Sequence, residues 1–246
     1  MTITARSASI AYSKKTEVIN PVGHSGIDIN EKNATVSAND GWSHAFGELG
    51  EVVEIKGRYR AIRAKVAQMA WRDQKKCKEL LAKYGRRERN RTTRKVHEVS
   101  RNIADYATEH KFGIKMEKLK GIRRLYAKDN GQDQYYRERM NTWVFGETQR
   151  QIGYKARWDG VPTYFVNPRG TSRNCPNCGS RVAPLEHRKL YCAACDRTWD
   201  RDDLASRNIM ACVVPQDLPP RGSGEGERGD DGSNPLSRWG EGQVGH

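Results

Sequence analysis

Between residues 26 and 46, apolar and polar positions alternate in short runs. Ile27 and Ile29 flank Asp28, and the period-two spacing predicts a strand over 26–30, a second over Ala34–Ala38 and a third over 42–46. Glu31-Lys32-Asn33 and Asn39-Asp40-Gly41 separate them, and Asn-Asp-Gly is good turn chemistry, so the three strands are expected to run antiparallel. The period then lengthens. Tyr59, Ile62, Val66, Met69, Cys77, Leu80 and Tyr84 recur at helical spacing, Gly85 is expected to break that helix, and Val96, Val99, Ile103 and Tyr106 lie on one face of a second. A short buried strand follows over 112–116, ending at Glu117. A helix is expected over 141–158 and a strand over 161–166, closed by Asn167-Pro168-Arg169-Gly170. Asp200-Arg201-Asp202-Asp203 opens a last helix through Ala205 to Ala211. The order predicts an α/β fold, a mixed sheet with flanking helices.

Charge turns this pattern toward a partner. The 246 residues carry 44 Lys and Arg against 30 Asp and Glu, a net charge of +14, which argues for a polyanion such as nucleic acid. The surplus is uneven: residues 56–101 hold 17 bases and four acids. The plain reading is a solvated helical face. The functional reading is a phosphate-contacting surface of Arg58, Arg60, Arg63, Lys65, Lys75, Lys76, Arg86, Arg87, Arg94 and Lys95. Residues 213–246 hold 8 of the 23 Gly and 4 of the 9 Pro and read as a disordered tail. No apolar run approaches the roughly 18 residues of a membrane span, and residues 1–20 lack a signal-peptide core, so the expected location is cytoplasmic, nucleoid-associated and not secreted.

The six cysteines then read as metal ligands before disulfides. Cys175-x-x-Cys178 and Cys192-x-x-Cys195 are two pairs with 13 residues between them. Two such turns close a tetrahedral four-thiolate site, which points to structural Zn²⁺; a redox dithiol is the competing reading. Cys77 and Cys212 read as core residues.

Three acids stand where a fold would otherwise be apolar. Asp28 interrupts a strand, Glu117 ends one, and Asp202 or Asp203 opens the last helix. Singly, they are a turn residue, a solvent-facing strand end and a helix-capping acid. Together, in this strand and helix order, they match an RNase H layout, in which carboxylates hold Mg²⁺ or Mn²⁺ for phosphodiester hydrolysis.

These segments carry a resemblance. Gly26-Ile27-Asp28, the run Met116-Glu117-Lys118-Leu119-Lys120-Gly121-Ile122-Arg123, Trp143-Val144-Phe145 to Tyr154-Lys155-Ala156, Asn167-Pro168-Arg169-Gly170-Thr171-Ser172 leading to Cys175, and Cys195 to Asp200-Arg201-Asp202 resemble the OrfB/TnpB family. These are transposon-associated proteins related to compact type V CRISPR nucleases. The resemblance implies a RuvC-like nuclease domain of RNase H fold with an inserted zinc ribbon. It implies catalytic acids Asp28, Glu117 and Asp202, DNA as substrate, a guide RNA, and a role in transposition and DNA recombination. The expected segments are 1–21 as a short amino-terminal segment, 22–171 as the first part of the nuclease domain, 172–199 as the ribbon, 200–212 as the final catalytic helix, and 213–246 as the tail. The family's large amino-terminal half is not matched, which implies a homo-oligomer or a separate recognition subunit. Leu204 stands where the family often has an asparagine. The rival to an endonuclease is a non-catalytic nucleic-acid-binding remnant that regulates the transposon. Metal-site integrity at the three acids discriminates the two.

Overall fold

The computed structural model describes residues 13–119, 122 and 131–214, with the backbone of two short paired strands, β1 (Thr2–Ile3) and β2 (Ala8–Ser9). The expected disordered tail lies outside the described residues, apart from Val213 and Val214. So do Lys120, Gly121 and Arg123 of the motif that follows Glu117.

The centre is a five-stranded mixed sheet. β3 (Gly23–Ile29), β4 (Ala34–Ala38) and β5 (Ser43–Phe46) form the expected antiparallel meander, with Gly41 at φ +90° in the second turn. β6 (Phe112–Glu117) and β7 (Thr163–Val166) add parallel to β3, giving the order β5-β4-β3-β6-β7.

Alternation decides which side chains face which layer. Ile27, Ile29, Val36, Ile114 and Met116 point into the main core. There they meet Leu49 and Val52 of α1 (Leu49–Ala67), Val96, Val99 and Ile103 of α2 (Gln74–Glu109) and Ile152 of α4 (Phe145–Trp158). Each such aliphatic chain contributes about 1.5–3 kcal/mol by leaving water. The other face of the sheet is covered by α5 (Arg201–Ala211). A Cβ on Gly26 would stand 2.2 Å from the Ser206 carbonyl oxygen and 2.3 Å from the Met210 nitrogen, so only glycine allows α5 to sit so close to β3. Lys115 Nζ donates to the Met210 and Cys212 carbonyls at 2.7 Å each, satisfying the open carboxyl end of α5 with a positive charge.

Two helical expectations need correction. Gly85 does not break a helix: α2 runs through it for 36 residues, about 54 Å at 1.5 Å per residue. One glycine costs about 1 kcal/mol in a helix, and the real break is the turn over 68–73. There Asp73 leaves helical geometry and accepts from the Lys76 N–H at 2.8 Å, capping α2. The helix expected over 141–158 starts later, as α4 at Phe145, because Trp143 is extended at ψ 125°; residues 141 and 142 instead end a separate helix, α3 (Gln134–Thr142). Trp143 packs on Phe145 with ring centroids 4.9 Å apart, and Lys56 Nζ takes the freed Thr142 carbonyl at 2.6 Å.

Between β7 and α5 lies a small antiparallel sheet of β8 (Ala183–Glu186), β9 (Lys189–Cys192) and β10 (Arg197–Asp200). β10 runs straight into α5. Asp200 is the cap, its Oδ1 accepting from the Asp202 and Asp203 amides at 2.9 and 3.3 Å.

Candidate functional site

Parallel pairing puts the ends of β3 and β6 at the same edge of the sheet. Asp28 is the penultimate residue of β3 and Glu117 the last of β6. Asp202, in the first turn of α5, comes down over the same edge, 4% exposed. Asp28 is thereby brought within electrostatic range of both Asp202 and Glu117. The Asp28 carboxyl is pushed up to about 7, mainly by burial and further by the Asp202 and Glu117 charges, although Asn30 Nδ2 donates to it at 2.9 Å and Arg201 opposes the shift. Burial also raises Glu117, against the pull of the Thr171 hydroxyl that donates to Oε1 at 2.6 Å.

The acids of the last helix sort into two roles that the sequence left open. Asp203 turns away: Ser43 Oγ donates to it at 2.6 Å, Ser37 Oγ at 3.3 Å and Arg207 Nε at 2.9 Å. Burial would raise its pKa, but these partners outweigh it and hold the carboxyl below the usual range. Asp202 instead meets the Arg188 guanidinium and the Asn33 amide, Nδ2 to Oδ2 3.3 Å. Leu204 is fully buried in the core, so the amide near Asp202 comes from the β3–β4 turn.

Arg188, Asn33 and Thr171 join this candidate site through their contacts with Asp202 and Glu117. Arg188 sits at the β8–β9 turn with φ +64°, and its carbonyl accepts from the Arg201 amide at 2.8 Å, which pins that turn to the start of α5. Thr35, opposite Asp28 across β4, has a buried hydroxyl without a hydrogen-bond partner, as does the Asn33 carbonyl oxygen. The oxygens of the three acids do not all come within 4.8 Å of one another, so a hydrated divalent cation at this edge would be held by some of these groups directly and by others through its waters.

The second cluster is of the other chemical kind. Among the described residues, Cys175, Cys178, Cys192 and Cys195 are the group whose ligand atoms all fall within 4.8 Å of one another. Cys175–Cys195, Cys178–Cys192 and Cys192–Cys195 sulfurs are 3.7, 3.5 and 3.6 Å apart. A Zn–S bond of about 2.3 Å implies a tetrahedral edge of about 3.8 Å, so the thiols already stand at metal-site spacing. Each second cysteine is followed by a left-handed residue, Gly179 at φ +75° and Asp196 at φ +53°. The glycine is legible as a turn signal; aspartate is one of the few side chains that tolerate the same conformation. The four cysteines could hold a metal such as zinc.

The ten bases expected to touch phosphate divide by partner. Arg60 pairs with Glu138 at 2.9 Å, Arg63 with Glu88, Lys76 with Glu79 at 3.9 Å, and Lys95 with Glu51 and Glu98 at 3.0 and 3.3 Å. Arg58, Lys65, Lys75, Arg86, Arg87 and Arg94 are exposed, with no ion pair among the described residues. No helix among those residues is long and apolar enough to cross a membrane.

Comparisons with known proteins bear on the same parts. A family model, the Cas12f1-like TNB domain, matches residues 145–209. The TnpB-like protein MJ0751 of Methanocaldococcus jannaschii is 32% identical over 201 residues, 79% of this chain and 71% of that protein. The CRISPR-associated endodeoxyribonuclease Cas12f1 of Sulfoacidibacillus thermotolerans is 29% identical over 116 residues, 46% of this chain and 25% of its own. Among solved structures, the fold is similar to that in a Cas12f1–sgRNA–target DNA complex, with TM-score 0.59, 19% identity, and 79% of this chain against 51% of that one. A CRISPR–Cas12f ternary complex gives TM-score 0.60, 20% identity, and 86% against 42%. The chain thus spans about half, or less, of the Cas12f proteins it matches. With identity and coverage of this order to a TnpB-like protein, and a Cas12f-like mixed sheet beneath it, the chain belongs to the TnpB (OrfB) family.

Proposed function

We propose that this protein is a divalent-metal-dependent DNA endonuclease of the RuvC type, acting with a guide RNA in the mobility of a transposon. The observation that carries the reading is the placement of Asp28 beside Asp202 and Glu117 at one sheet edge, where burial first, and then those two charges, push the Asp28 carboxyl up to about 7. Three acids in such a place destabilise each other unless a cation is taken up. Asp28, Glu117 and Asp202 would hold Mg²⁺ or Mn²⁺, which supplies an activated water and neutralises charge on the leaving oxygen. The chain's own groups set the geometry. Asn30 orients Asp28, Thr171 orients Glu117, and the amide of Gln149 holds the Glu117 carbonyl at 2.7 Å. Arg188 stands beside Asp202, where its fork of donors is suited to the non-bridging oxygens of a phosphodiester. In this reading the four cysteines hold Zn²⁺ for structure only, since four thiolates leave no open position. The basic face of α1 and α2 contacts nucleic-acid backbone.

The ion pair of Arg188 with Asp202 favours one rival, a non-catalytic nucleic-acid-binding protein whose third acid is already satisfied. Cleavage separates them. Single-stranded and duplex DNA would be incubated with Mg²⁺ or Mn²⁺ and either the wild-type protein or Asp28→Asn, with co-purified RNA present and again after RNase treatment. The proposal expects metal-dependent cutting that falls by about a thousandfold in the variant and is lost after RNase. Equal inactivity of both proteins, with nucleic-acid binding retained, would establish the rival. Cutting that survives RNase would remove the guide from the proposal.

A further inference from the structure

The face that α4 turns to α2 is polar at its centre. Thr148, Gln151 and Lys155 recur at spacings of three and four, which puts them on one side of the helix, and all three are buried. Opposite them on α2 stands Ser100, fully buried. Lys155 Nζ donates to the Ser100 hydroxyl at 2.7 Å and to the His97 carbonyl at 2.6 Å. Ser100 Oγ donates to Gln151 Oε1 at 3.1 Å, and Gln151 Nε2 to Glu147 Oε1 at 2.7 Å. A chain of hydrogen bonds thus runs through the interface of the two helices and ends at the Glu147–Arg150 pair on the surface.

Stability alone does not account for Lys155. It is 7% exposed, and the carboxylates around it are engaged elsewhere: Asp105 and Asp159 pair with Arg101, and Glu147 with Arg150. Burial holds its pKa down at about 8; Arg101 adds to the shift and Asp105 opposes it. An apolar side chain of the same length would fill this place at less cost than a desolvated charge. What the charge adds is direction. Ile152 and Ala156 hold α4 in the core by contacts that tolerate sliding, whereas hydrogen bonds to fixed acceptors on α2 admit one register. That register matters at the other side of α4, where Gln149 Nε2 donates to the Glu117 carbonyl at 2.7 Å. A slip of one residue would carry Gln149 about 1.5 Å along the helix and about 100° around it, away from the end of β6.

We propose that Lys155 is a positioning residue for the carboxylate edge: it locks α4 in register on α2, and α4, through Gln149, holds the end of β6 so that Glu117 stays beside Asp28. The proposal rests on the cation-binding part of the nuclease reading, and not on cleavage or a guide. The test reads Mn²⁺ binding to the full chain by electron paramagnetic resonance at neutral pH, with Asp28→Asn identifying the ion held at this edge. Lys155→Met should weaken that ion about tenfold, as loss of a group that orients a ligand does. Its Tm should hold or rise, because an apolar chain of similar length replaces a desolvated charge. Gln149→Leu should weaken Mn²⁺ by a similar factor. The double variant should be no weaker than either single one, because both act through the same bond to Glu117. A site that loosens while the fold holds is not the result of general instability. If Lys155→Met fails to fold, Ser100→Ala breaks the same chain of bonds from α2 and should show the same lack of additivity with Gln149→Leu. Unchanged Mn²⁺ affinity in a folded variant would overturn the proposal. So would losses that multiply in the double variant, which would make Lys155 a residue of the helix interface alone. A wild-type protein with no Mn²⁺ sensitive to Asp28→Asn would remove the cation reading and the proposal with it, and that result is seen before any change to α4 is made.

Discussion

The carboxylate edge and the cysteine ribbon gather ligand-type side chains by opposite means. Asp28 and Glu117 ride on strands whose other face is locked by Ile27, Ile29, Ile114 and Met116 in the main core. Their framework is stable for reasons unrelated to the acids, and the acids strain it. The ribbon has no such support: β8 is exposed throughout, and β10 nearly so. Its two Cys-x-x-Cys turns are the inside of that small domain. The first site is thus a charge cost placed on a fold that exists without it; the second is a local fold organised around its own ligands. A hydrophobic core can carry a cluster of buried charge, whereas a sheet without a core of its own depends on what its turns can bind.

The contrast breaks most sharply on removal of metal. Chelation, or Cys178→Ser/Cys192→Ser, should raise amide exchange in β8–β10 by about a hundredfold or more while leaving β3 and β6 protected, as read by hydrogen–deuterium exchange mass spectrometry. Equal loss in both sheets would show that the ribbon is part of the main cooperative unit.

A smaller effect comes from pH. Asp28 has a folded pKa of about 7 against an ordinary 3.8, so between these values the folded state binds more protons than the unfolded one. Stability should fall as pH rises from about 4 to about 7, then level off, lowering Tm by a few degrees without divalent cation. Mg²⁺ should restore the loss at neutral pH, and Asp28→Asn should flatten the dependence. A flat wild-type profile would mean that the acids are not strained.

The smallest expected change lies in the arm of α1 and the amino-terminal half of α2, where the helix buries only Cys77 and Thr92 between residues 74 and 92. Gly85→Ala should add about 0.5–1 kcal/mol, or about 2–4 °C in Tm, without altering either site. A decrease in Tm would show that Gly85 is needed for packing.

The sequence was most legible where periodicity and turn chemistry agreed. Strands β3, β4 and β6 follow from alternating Ile, Val and Met positions, β5 from the Asn39-Asp40-Gly41 turn before it, and the four cysteines from spacing alone. Gly85 misled because a local breaker signal is worth about 1 kcal/mol, too little against the continued pairing of α2 with α1. The start of α4 was misplaced because Trp143 and Val144 carry apolar side chains yet lie outside the helix, and α3, which buries no residue, leaves no periodic signal. Asp202 and Asp203 are neighbours with the same composition; only the packing of α5 against Ser37 and Ser43 makes one structural and leaves the other for the site. Arg188 and Asn33 reach that edge through tertiary geometry, 14 and 169 positions from Asp202 along the chain, so neither contact follows from a helical or strand period.

The order of the acids along the chain has a consequence for synthesis. Asp28 and Glu117 emerge from the ribosome early, but the edge they form has only two of its carboxylates until α5 follows. Lys115 and Gly26 wait for the same helix, one to hold its end and one to receive its backbone. A nascent or prematurely terminated chain therefore has the greater part of its sheet and no complete set of acids. The set of three acids is completed last, after the helical hairpin and most of the central sheet have been made.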